Sequence, residues 1–112
     1  VKQVKAMIAY SRCKNYVVVS FHKPNEVMPT PARMAGMEDT LQHVFGKHFV
    51  NLRRHMVSRG LQEAGFTPTQ EDKDSIKHGM VPPQLMVDGC HFKKEGYRII
   101  AQLVKQKIDS FK

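Results

Sequence analysis

The stretch with the clearest chemical potential is DGCHF, in which Asp88 stands three residues before His91. A turn over that spacing can bring a carboxylate against an imidazole. The carboxylate then fixes the tautomer of the ring and leaves the second ring nitrogen free to act as a base toward a hydroxyl. Gly89 lets the backbone bend tightly between the two residues. The sequence therefore offers Asp88 and His91 as a candidate general-base pair.

The same spacing also has a purely structural interpretation. Asp88 could accept hydrogen bonds within the turn alone, which would leave His91 as a surface residue ahead of a helix. The D-x-x-H spacing is short and common, so by itself it favours this structural interpretation over the catalytic one.

Two apolar runs predict the strands that would position such a turn. Tyr16–Phe21 is a continuous β-branched and aromatic run, typical of a strand buried on both faces of a parallel sheet. HFVNL, residues 48–52, predicts a shorter second strand. Residues 1–15 carry apolar side chains at helical spacing and predict an amphipathic helix.

Helical patterns occupy much of the remaining chain. Residues 22–36 contain three prolines and predict a loop. Residues 37–45 predict a helix with its acids in the first turn, ended by Gly46. Residues 53–60 predict one or two helical turns closed by Gly60.

Start signals place the next helix near residue 70. Thr67 can cap it, with Pro68 in the first position, and Thr69 with Asp72 is an alternative cap. Gly79 ends it. The last helix carries a wide apolar stripe that predicts close packing against a sheet, formed by Tyr97, Ile99, Ile100, Ala101, Leu103, Val104, Ile108 and Phe111.

Strands alternating with helices predict an α/β fold with a parallel sheet. Two parallel strands do not make a stable sheet alone. We therefore expect residues 1–112 to be the C-terminal part of a single larger α/β domain, with strand neighbours supplied from elsewhere.

Composition narrows the function classes. The 112 residues are 41% hydrophobic, which is enough for a core, and no apolar run is long enough to span a bilayer. The net charge of +8 suggests nucleic-acid binding, but Lys and Arg are spread along the whole chain, so that function is not favoured. No signal peptide is visible, and Cys13 and Cys90 are expected to be buried, reduced thiols of a cytoplasmic protein.

The stretch DGCHFKKEGYRIIAQLV resembles the C-terminal block of the SGNH (GDSL-type) hydrolases, which commonly reads D-x-x-H-hydrophobic-x-x-x-G-Y before an aliphatic helix. Asp88, His91, Phe92, Gly96 and Tyr97 stand at the matching positions. A weaker likeness to a bacterial or phage subgroup of that family extends upstream to about Tyr16.

The resemblance implies a flavodoxin-like three-layer fold with a parallel sheet and a Ser–His–Asp mechanism. Asp88 would orient His91, and His91 would be the general base. The implied substrates are carboxylic esters, among them lipids, acetylated sugars and thioesters. The resemblance implies no metal ion and no organic cofactor.

The chain departs from the family pattern in two respects. Lys93 stands where the family often has a helix-capping Thr or Asn. The blocks that carry the nucleophilic serine and the oxyanion-hole residues have no counterpart here. Ser20 lies at a predicted strand end without the flanking Gly-Asp pattern, so we expect a site-lining role for it rather than that of nucleophile. His22 could also face the site.

The remaining histidines are expected to be surface residues, and no pair of them has metal-ligand spacing; they are His43, His48, His55 and His78. The leading hypothesis is thus an ester hydrolase whose N-terminal half, or a second copy, completes the site, so that the chain alone is inactive. The alternatives are a non-catalytic binding or assembly domain and, less favoured, a basic nucleic-acid-binding protein.

Overall fold

The computed structural model describes residues 1–24 and 29–111. Within these ranges six α-helices occur: α1 (Lys2–Ser11), α2 (Pro31–Phe45), α3 (Leu52–His55), α4 (Leu61–Ala64), α5 (Gln70–Lys77) and α6 (Lys94–Asp109). The strands are β1 (Val18–Val19) and β2 (Phe49–Val50). Short 3-10 turns cover Gly46–His48 and Pro83–Leu85, and a π-helical segment covers Met56–Gly60.

The predicted flavodoxin-like α/β sandwich is wrong, because the structure is mostly helical (64%) and the described residues hold only two short strands. These strands do pair in parallel, with Val18 opposite Phe49 and Val19 opposite Val50. Val19 is 40% exposed, so β1 is not buried on both faces as its composition predicts. A β-branched run forms strand only where a partner accepts its backbone hydrogen bonds, and β2 offers just two residues.

The hydrophobic core lies between helices rather than between helices and a sheet. Its buried members are Leu52, Met56, Leu61, Leu85, Phe92 and Ile99. They come from the helical segments between residues 52 and 64, the 3-10 turn after α5, the bridged residue pair Met86 and Phe92, and the first half of α6. This core replaces the sheet that the sequence pattern predicts as the packing surface.

Residues 52–64 form one helical run in which the π-helical segment joins α3 to α4. The prediction that Gly60 ends the helix is wrong. Gly60 instead lies against the 3-10 turn, where an added Cβ would stand 2.5 Å from Cδ1 of Leu85. The run ends at Gly65, whose φ of +79° suits glycine.

Helix α2 begins at Pro31, six residues earlier than the start predicted at Met37. The hydroxyl of Thr30 accepts a hydrogen bond from the backbone N–H of Arg33 at 3.2 Å, and Pro31 occupies the first turn. The helix ends at Gly46 as predicted. Part of the predicted loop, residues 25–28, lies outside the described residues.

The early start of α2 moves Glu38 from the predicted first turn to the middle of the helix, where it is 3% exposed. Its carboxylate accepts hydrogen bonds from Nε and Nη2 of the buried Arg53, each at 2.7 Å. Nη1 of Arg53 donates to the carbonyl of Gly79 at 2.7 Å, and Asn51 donates to Glu38 at 3.2 Å. The pair therefore joins α2, α3 and the chain after α5.

Helix α5 uses the alternative cap predicted from the sequence. Thr69 and Asp72 form a reciprocal capping box, and Thr67 stands outside the helix. Asp72 is fully buried, and it also accepts hydrogen bonds from the backbone and side chain of Gln84 at 3.1 and 2.6 Å. Burial raises the pKa of Asp72, but the hydrogen bonds from Thr69 and Gln84 outweigh it, so the pKa lies below its ordinary value.

The apolar stripe of α6 is narrower than predicted. Ile99 is 1% exposed, whereas Tyr97 and Ile108 are 50% and 39% exposed. The helix packs against α4 and the end of β2, and this contact covers less of its surface than a broad sheet would.

No helix in the described ranges is long and apolar enough to cross a membrane. The prediction of buried thiols is wrong, because Cys13 and Cys90 are both free and exposed.

We expect Arg53→Met to lower the free energy of unfolding by about 3–5 kcal/mol, because it leaves the buried Glu38 carboxylate without its partner. Urea unfolding followed by circular dichroism measures the loss. Arg54→Met is the matched control, since its side chain is exposed on the same helix. Equal stability of the two variants would contradict this account of the pair.

Candidate functional site

In the Asp88–His91 turn, the carboxylate accepts hydrogen bonds from the backbone and also contacts the imidazole ring. Oδ1 of Asp88 accepts hydrogen bonds from the backbone N–H groups of Cys90 and His91, both at 2.7 Å. Nδ1 of the His91 ring lies 3.2 Å from Oδ1 and 3.1 Å from Oδ2 of the same carboxylate. The backbone hydrogen bonds fix the position of the Asp88 carboxylate, and the carboxylate in turn fixes the orientation of the His91 ring.

The core holds the two ends of this turn. Met86 and Phe92 form an antiparallel bridge, and the N–H of Val87 donates to the carbonyl of His91 at 2.8 Å. The N–H of Lys93 donates to the carbonyl of Leu85, also at 2.8 Å. Leu85 and Phe92 are both buried, so the turn projects from a packed base.

Gly96 permits that base to form. A Cβ built on it would lie 2.6 Å from Cδ1 of Phe92, which is closer than real side chains approach. Phe92 therefore packs directly on the first turn of α6, with the ring of Tyr97 edge-on at 5.9 Å. This contact gives a physical reason for the H-F-x-x-x-G-Y spacing. Lys93 makes no side-chain cap, as its type predicts, and α6 begins at the next residue.

The electrostatics of the turn keep Asp88 ionised. The N–H groups of His91 and Cys90, followed by the His91 side chain, lower the pKa of Asp88 to about 2. An ionised carboxylate can only accept hydrogen bonds, so Nδ1 of His91 carries a proton toward it. When the ring is neutral, Nε2 then holds the free lone pair, which is the arrangement that a general base requires.

Both side chains of this pair are accessible. The side chain of His91 is 67% exposed and that of Asp88 is 55% exposed. Ion pairs at such exposure contribute little to stability. The contact between the two side chains is therefore not what holds the turn together, and the backbone hydrogen bonds to Asp88 have that role.

A cleft of about 400 Å³ lies beside the turn. Asp88 and Gly89 line one side, and apolar residues such as Val81 and Met86 line another. His91 stands outside the lining, so the cleft opens on the carboxylate side of the pair. Its wall is mostly apolar, and its volume lies at the lower end for small-molecule sites.

His22 is the sequence-predicted residue that the structure brings to this turn. Its Nε2 lies 3.0 Å from the carbonyl oxygen of Cys90, its ring packs 4.7 Å from that of Phe92, and it lines the cleft. Burial is the main cause that lowers the pKa of His22, with Lys23 and His91 also lowering it against the raising effect of the Cys90 bond. A neutral imidazole that donates Nε2–H to the carbonyl ties the chain after β1 to the turn.

Ser20 lies elsewhere. It is 7% exposed, and its hydroxyl accepts a hydrogen bond from the N–H of Leu52 at 2.9 Å. Its own N–H donates to the carbonyl of Val50 at 3.1 Å. It lines a separate cavity of about 440 Å³ with residues such as Val18 and Met34. The structure thus gives Ser20 a role in joining β1 to β2 and α3, and it does not bring Ser20 to His91.

Sequence reasoning missed two partly buried histidines, His48 and His55, which were expected at the surface. The ring of His48 stacks on that of Tyr16 at 3.8 Å, and its Nδ1 lies 2.9 Å from the carbonyl oxygen of Tyr16. Nε2 of His55 lies 2.7 Å from Oε1 of Glu63. These partners are 32 and 8 residues away in sequence, so no local spacing rule would have found them.

Metal binding would require a cluster of His, Cys, Asp or Glu side chains. Across residues 1–24 and 29–111, no three His, Cys, Asp or Glu side chains converge as a metal ion would require.

Comparisons with known proteins add no assignment. No family model, no curated protein and no solved structure matches this chain.

We expect NMR titration of the Asp88 carboxyl carbon to give a pKa of about 2. Because this folded-state pKa is lower than the unfolded one, the contribution of ionised Asp88 to stability is present above the unfolded pKa and is lost as the pH falls toward 2. In His91→Ala the two backbone donors remain, so the pKa should stay well below its ordinary value. An ordinary carboxyl pKa in that variant would show that the imidazole is the main cause.

Gly96→Ala should lower the free energy of unfolding by about 1–3 kcal/mol, because the new methyl group meets the ring of Phe92. Gly36→Ala is the matched control, since Gly36 lies inside α2 with nothing within 4 Å of an added Cβ. That control should gain about 0.5–1 kcal/mol from the helix preference of alanine. Urea unfolding compares the two, and changes of the same sign would contradict the packing argument.

Proposed function

We propose that this chain carries the acid–base part of an ester hydrolase site of the SGNH type. Asp88 orients the imidazole, and Nε2 of His91 takes the proton from a serine hydroxyl as that hydroxyl attacks the ester carbonyl. His91 then returns the proton to the leaving alkoxide. The observation that supports this most directly is the contact of Nδ1 with both carboxylate oxygens in an exposed turn.

The proposal depends on the site and not on the predicted α/β sandwich. The same carboxylate–imidazole–hydroxyl chemistry occurs on unrelated folds, so the helical architecture does not bear on it. The block from Asp88 to Tyr97 keeps the spacing that carries the resemblance, and the packing of Phe92 on Gly96 gives that spacing a structural purpose.

We propose that the nucleophilic serine is not among the residues that contact His91 in this structure. Within the described residues, no serine hydroxyl is hydrogen-bonded to His91, and Ser20 is engaged with Leu52. The serine and the oxyanion donors would come from a further segment or a second polypeptide. Exposed apolar side chains provide surface for such an association: Met7 is 70% exposed, Tyr10 91% and Phe21 62%.

The same exposed surface supports the second candidate, a non-catalytic binding or assembly domain. Helix α1 buries none of its residues, although Met7 and Tyr10 are large and apolar. The two candidates differ in whether His91 takes part in a chemical reaction.

The cysteines bear on the cellular compartment. Cys13 and Cys90 are free thiols, which fits the reducing cytoplasm, and we propose the cytoplasm as the location.

The test of function uses the natural polypeptide that contains this sequence, assayed on a panel of unactivated short-chain esters in a pH-stat. His91→Ala should lower kcat by about 10²- to 10⁴-fold, the usual effect of removing a general base. His43→Ala, on the exposed face of α2, is the matched control and should retain full activity.

Labelling with a fluorophosphonate separates the two candidates. A hydrolase should label on one serine, more slowly in the His91→Ala variant, while the 112-residue chain alone should neither label nor turn over the esters. Activity equal in His91→Ala and wild type would remove His91 from the chemistry. Absence of both labelling and turnover in the natural polypeptide would favour the binding domain.

A further inference from the structure

Strand β1 pairs with β2 along one of its edges, and its other edge carries backbone groups that face away from β2. The N–H of Ser20 donates to the carbonyl of Val50 at 3.1 Å, so the backbone of Ser20 points toward β2. Successive residues of a strand direct their N–H and C=O groups to opposite edges, so those of Val19 point outward. In the part of the chain that the structure describes, no residue outside the strand pair bonds to the backbone of Val19. This outer edge can therefore accept the backbone of another extended chain.

An apolar groove lies at this edge. It is the cavity of about 440 Å³ that Ser20 lines, and β1, α1 and α2 all contribute to its wall. We call it the β1 groove. Its apolar side chains include Val4 of α1, Val19 and Phe21 in and after β1, and Met37 and Leu41 of α2.

The polar lining residues of the β1 groove leave little for a small polar ligand to bind. The carboxylate of Glu38 is 3% exposed and is paired with Arg53. The hydroxyl of Ser20 accepts a hydrogen bond from the N–H of Leu52. The groove therefore offers apolar side chains together with the outward backbone groups of Val19.

These two features together identify an extended peptide as the occupant. The apolar side chains at the edge are exposed, with Val19 at 40% and Phe21 at 62%. A sheet of two short strands is marginal by itself, and three or more strands with an apolar face are needed for independent stability. An added strand would pair with the backbone of Val19 and cover both side chains, which a compact small molecule would not do.

Charge distinguishes a second copy of this chain from a different polypeptide. Residues 1–24 contain five basic residues and no Asp or Glu; the basic residues are Lys2, Lys5, Arg12, Lys14 and Lys23. Two copies paired through β1 would bring these positive segments together, which is unfavourable. An extended segment that carries acids beside its apolar residues would be attracted instead. A different polypeptide with an acidic segment therefore fits this edge better than a second copy.

We propose that the outer edge of β1 binds an extended segment of a different polypeptide, in which alternate residues are apolar and acidic residues flank the apolar part. The segment pairs with the backbone of Val19 and lays its apolar side chains in the β1 groove beside Phe21 and Leu41. Backbone hydrogen bonds supply affinity, and the groove selects the side chains. The proposal does not rest on the hydrolase chemistry, because neither Asp88 nor His91 takes part.

The test is an NMR titration of the ¹⁵N-labelled chain with two synthetic peptides that have blocked ends, DEVTVTVED and KKVTVTVKK. The acidic peptide should shift the amide signals of residues 18–21 saturably. The basic peptide has the same apolar part and should bind at least about tenfold more weakly. Absence of saturable shifts with the acidic peptide would overturn the proposal, and so would equal binding of the two peptides.

N-methylated peptides test the backbone pairing. Only alternate N–H groups of a docked strand face β1, so methylation of either the valine or the threonine nitrogens of DEVTVTVED should abolish binding, while methylation of the other set should preserve it. Equal binding of both methylated peptides would show that the groove holds side chains alone and would overturn the strand pairing.

Variants locate the docking edge. Val19→Pro removes the outward N–H and leaves the donor of Ser20 in place, and it should weaken binding of DEVTVTVED about tenfold. Phe21→Ser should have a similar effect through lost apolar contact, whereas the matched control Val87→Ser, at a residue that is 70% exposed beside the other cleft, should not. Phe21→Ser keeps the test decisive if dispersion of the amide spectrum shows that Val19→Pro does not fold. Wild-type affinity in folded Phe21→Ser would overturn the proposal.

Sedimentation of the chain alone tests the competing occupant. We expect the mass to stay that of a monomer as the chain concentration rises. A concentration-dependent dimer that Phe21→Ser abolishes would assign the edge to a second copy and would overturn the choice of a different polypeptide.

Discussion

The buried ion pair between Glu38 and Arg53 constrains the arrangement of the rest of the chain. Two charges removed from water are tolerated only when every polar atom finds a partner. Here the guanidinium spans α2, α3 and the carbonyl of Gly79, with three bonds of 2.7 Å. Asn51 contributes a further bond to the carboxylate and also caps α3. These segments can therefore take only one relative placement without leaving a buried charge unsatisfied.

A second line of hydrogen bonds runs from the core to the Asp88–His91 turn. Asp72, fully buried, holds the backbone and side chain of Gln84. Gln84 precedes Leu85, whose carbonyl accepts from the N–H of Lys93 at the far end of the turn. The exposed Asp88–His91 pair thus stands on buried, fully bonded polar groups. Exposed side chains keep a fixed position only when a rigid base of this kind supports them.

Local features of this protein could be predicted from sequence, and features that depend on distant partners could not. The Asp88–His91 contact, the Thr69–Asp72 cap and the end of α2 at Gly46 follow from spacings of a few residues. The predicted fold class was wrong because Tyr16–Phe21 has the composition of a buried strand, whereas the length of a strand depends on its partner, and β2 supplies only two residues. The prediction that Glu38 lies in the first turn of a helix was wrong, and its buried pairing was not foreseen, because its partner, Arg53, is 15 residues away. The His55–Glu63 contact spans the π-helical segment Met56–Gly60, and the periodicity of the sequence does not predict such a segment.

The two carboxylate–imidazole pairs, Asp88–His91 and Glu63–His55, differ in how their rings are positioned. Two backbone N–H groups hold the carboxylate of Asp88, so its side chain keeps little conformational freedom. The ring of His91 is exposed, so its second nitrogen is accessible to a group from outside the turn. His55 is held by the longer side chain of Glu63, and the ring is partly buried, with 20% of its side chain exposed. The first ring is thus fixed from the backbone of a short turn, and the second by a side chain on the next helical segment. Both pairs are therefore positioned by turns and helices, and neither depends on the sheet that the sequence predicts.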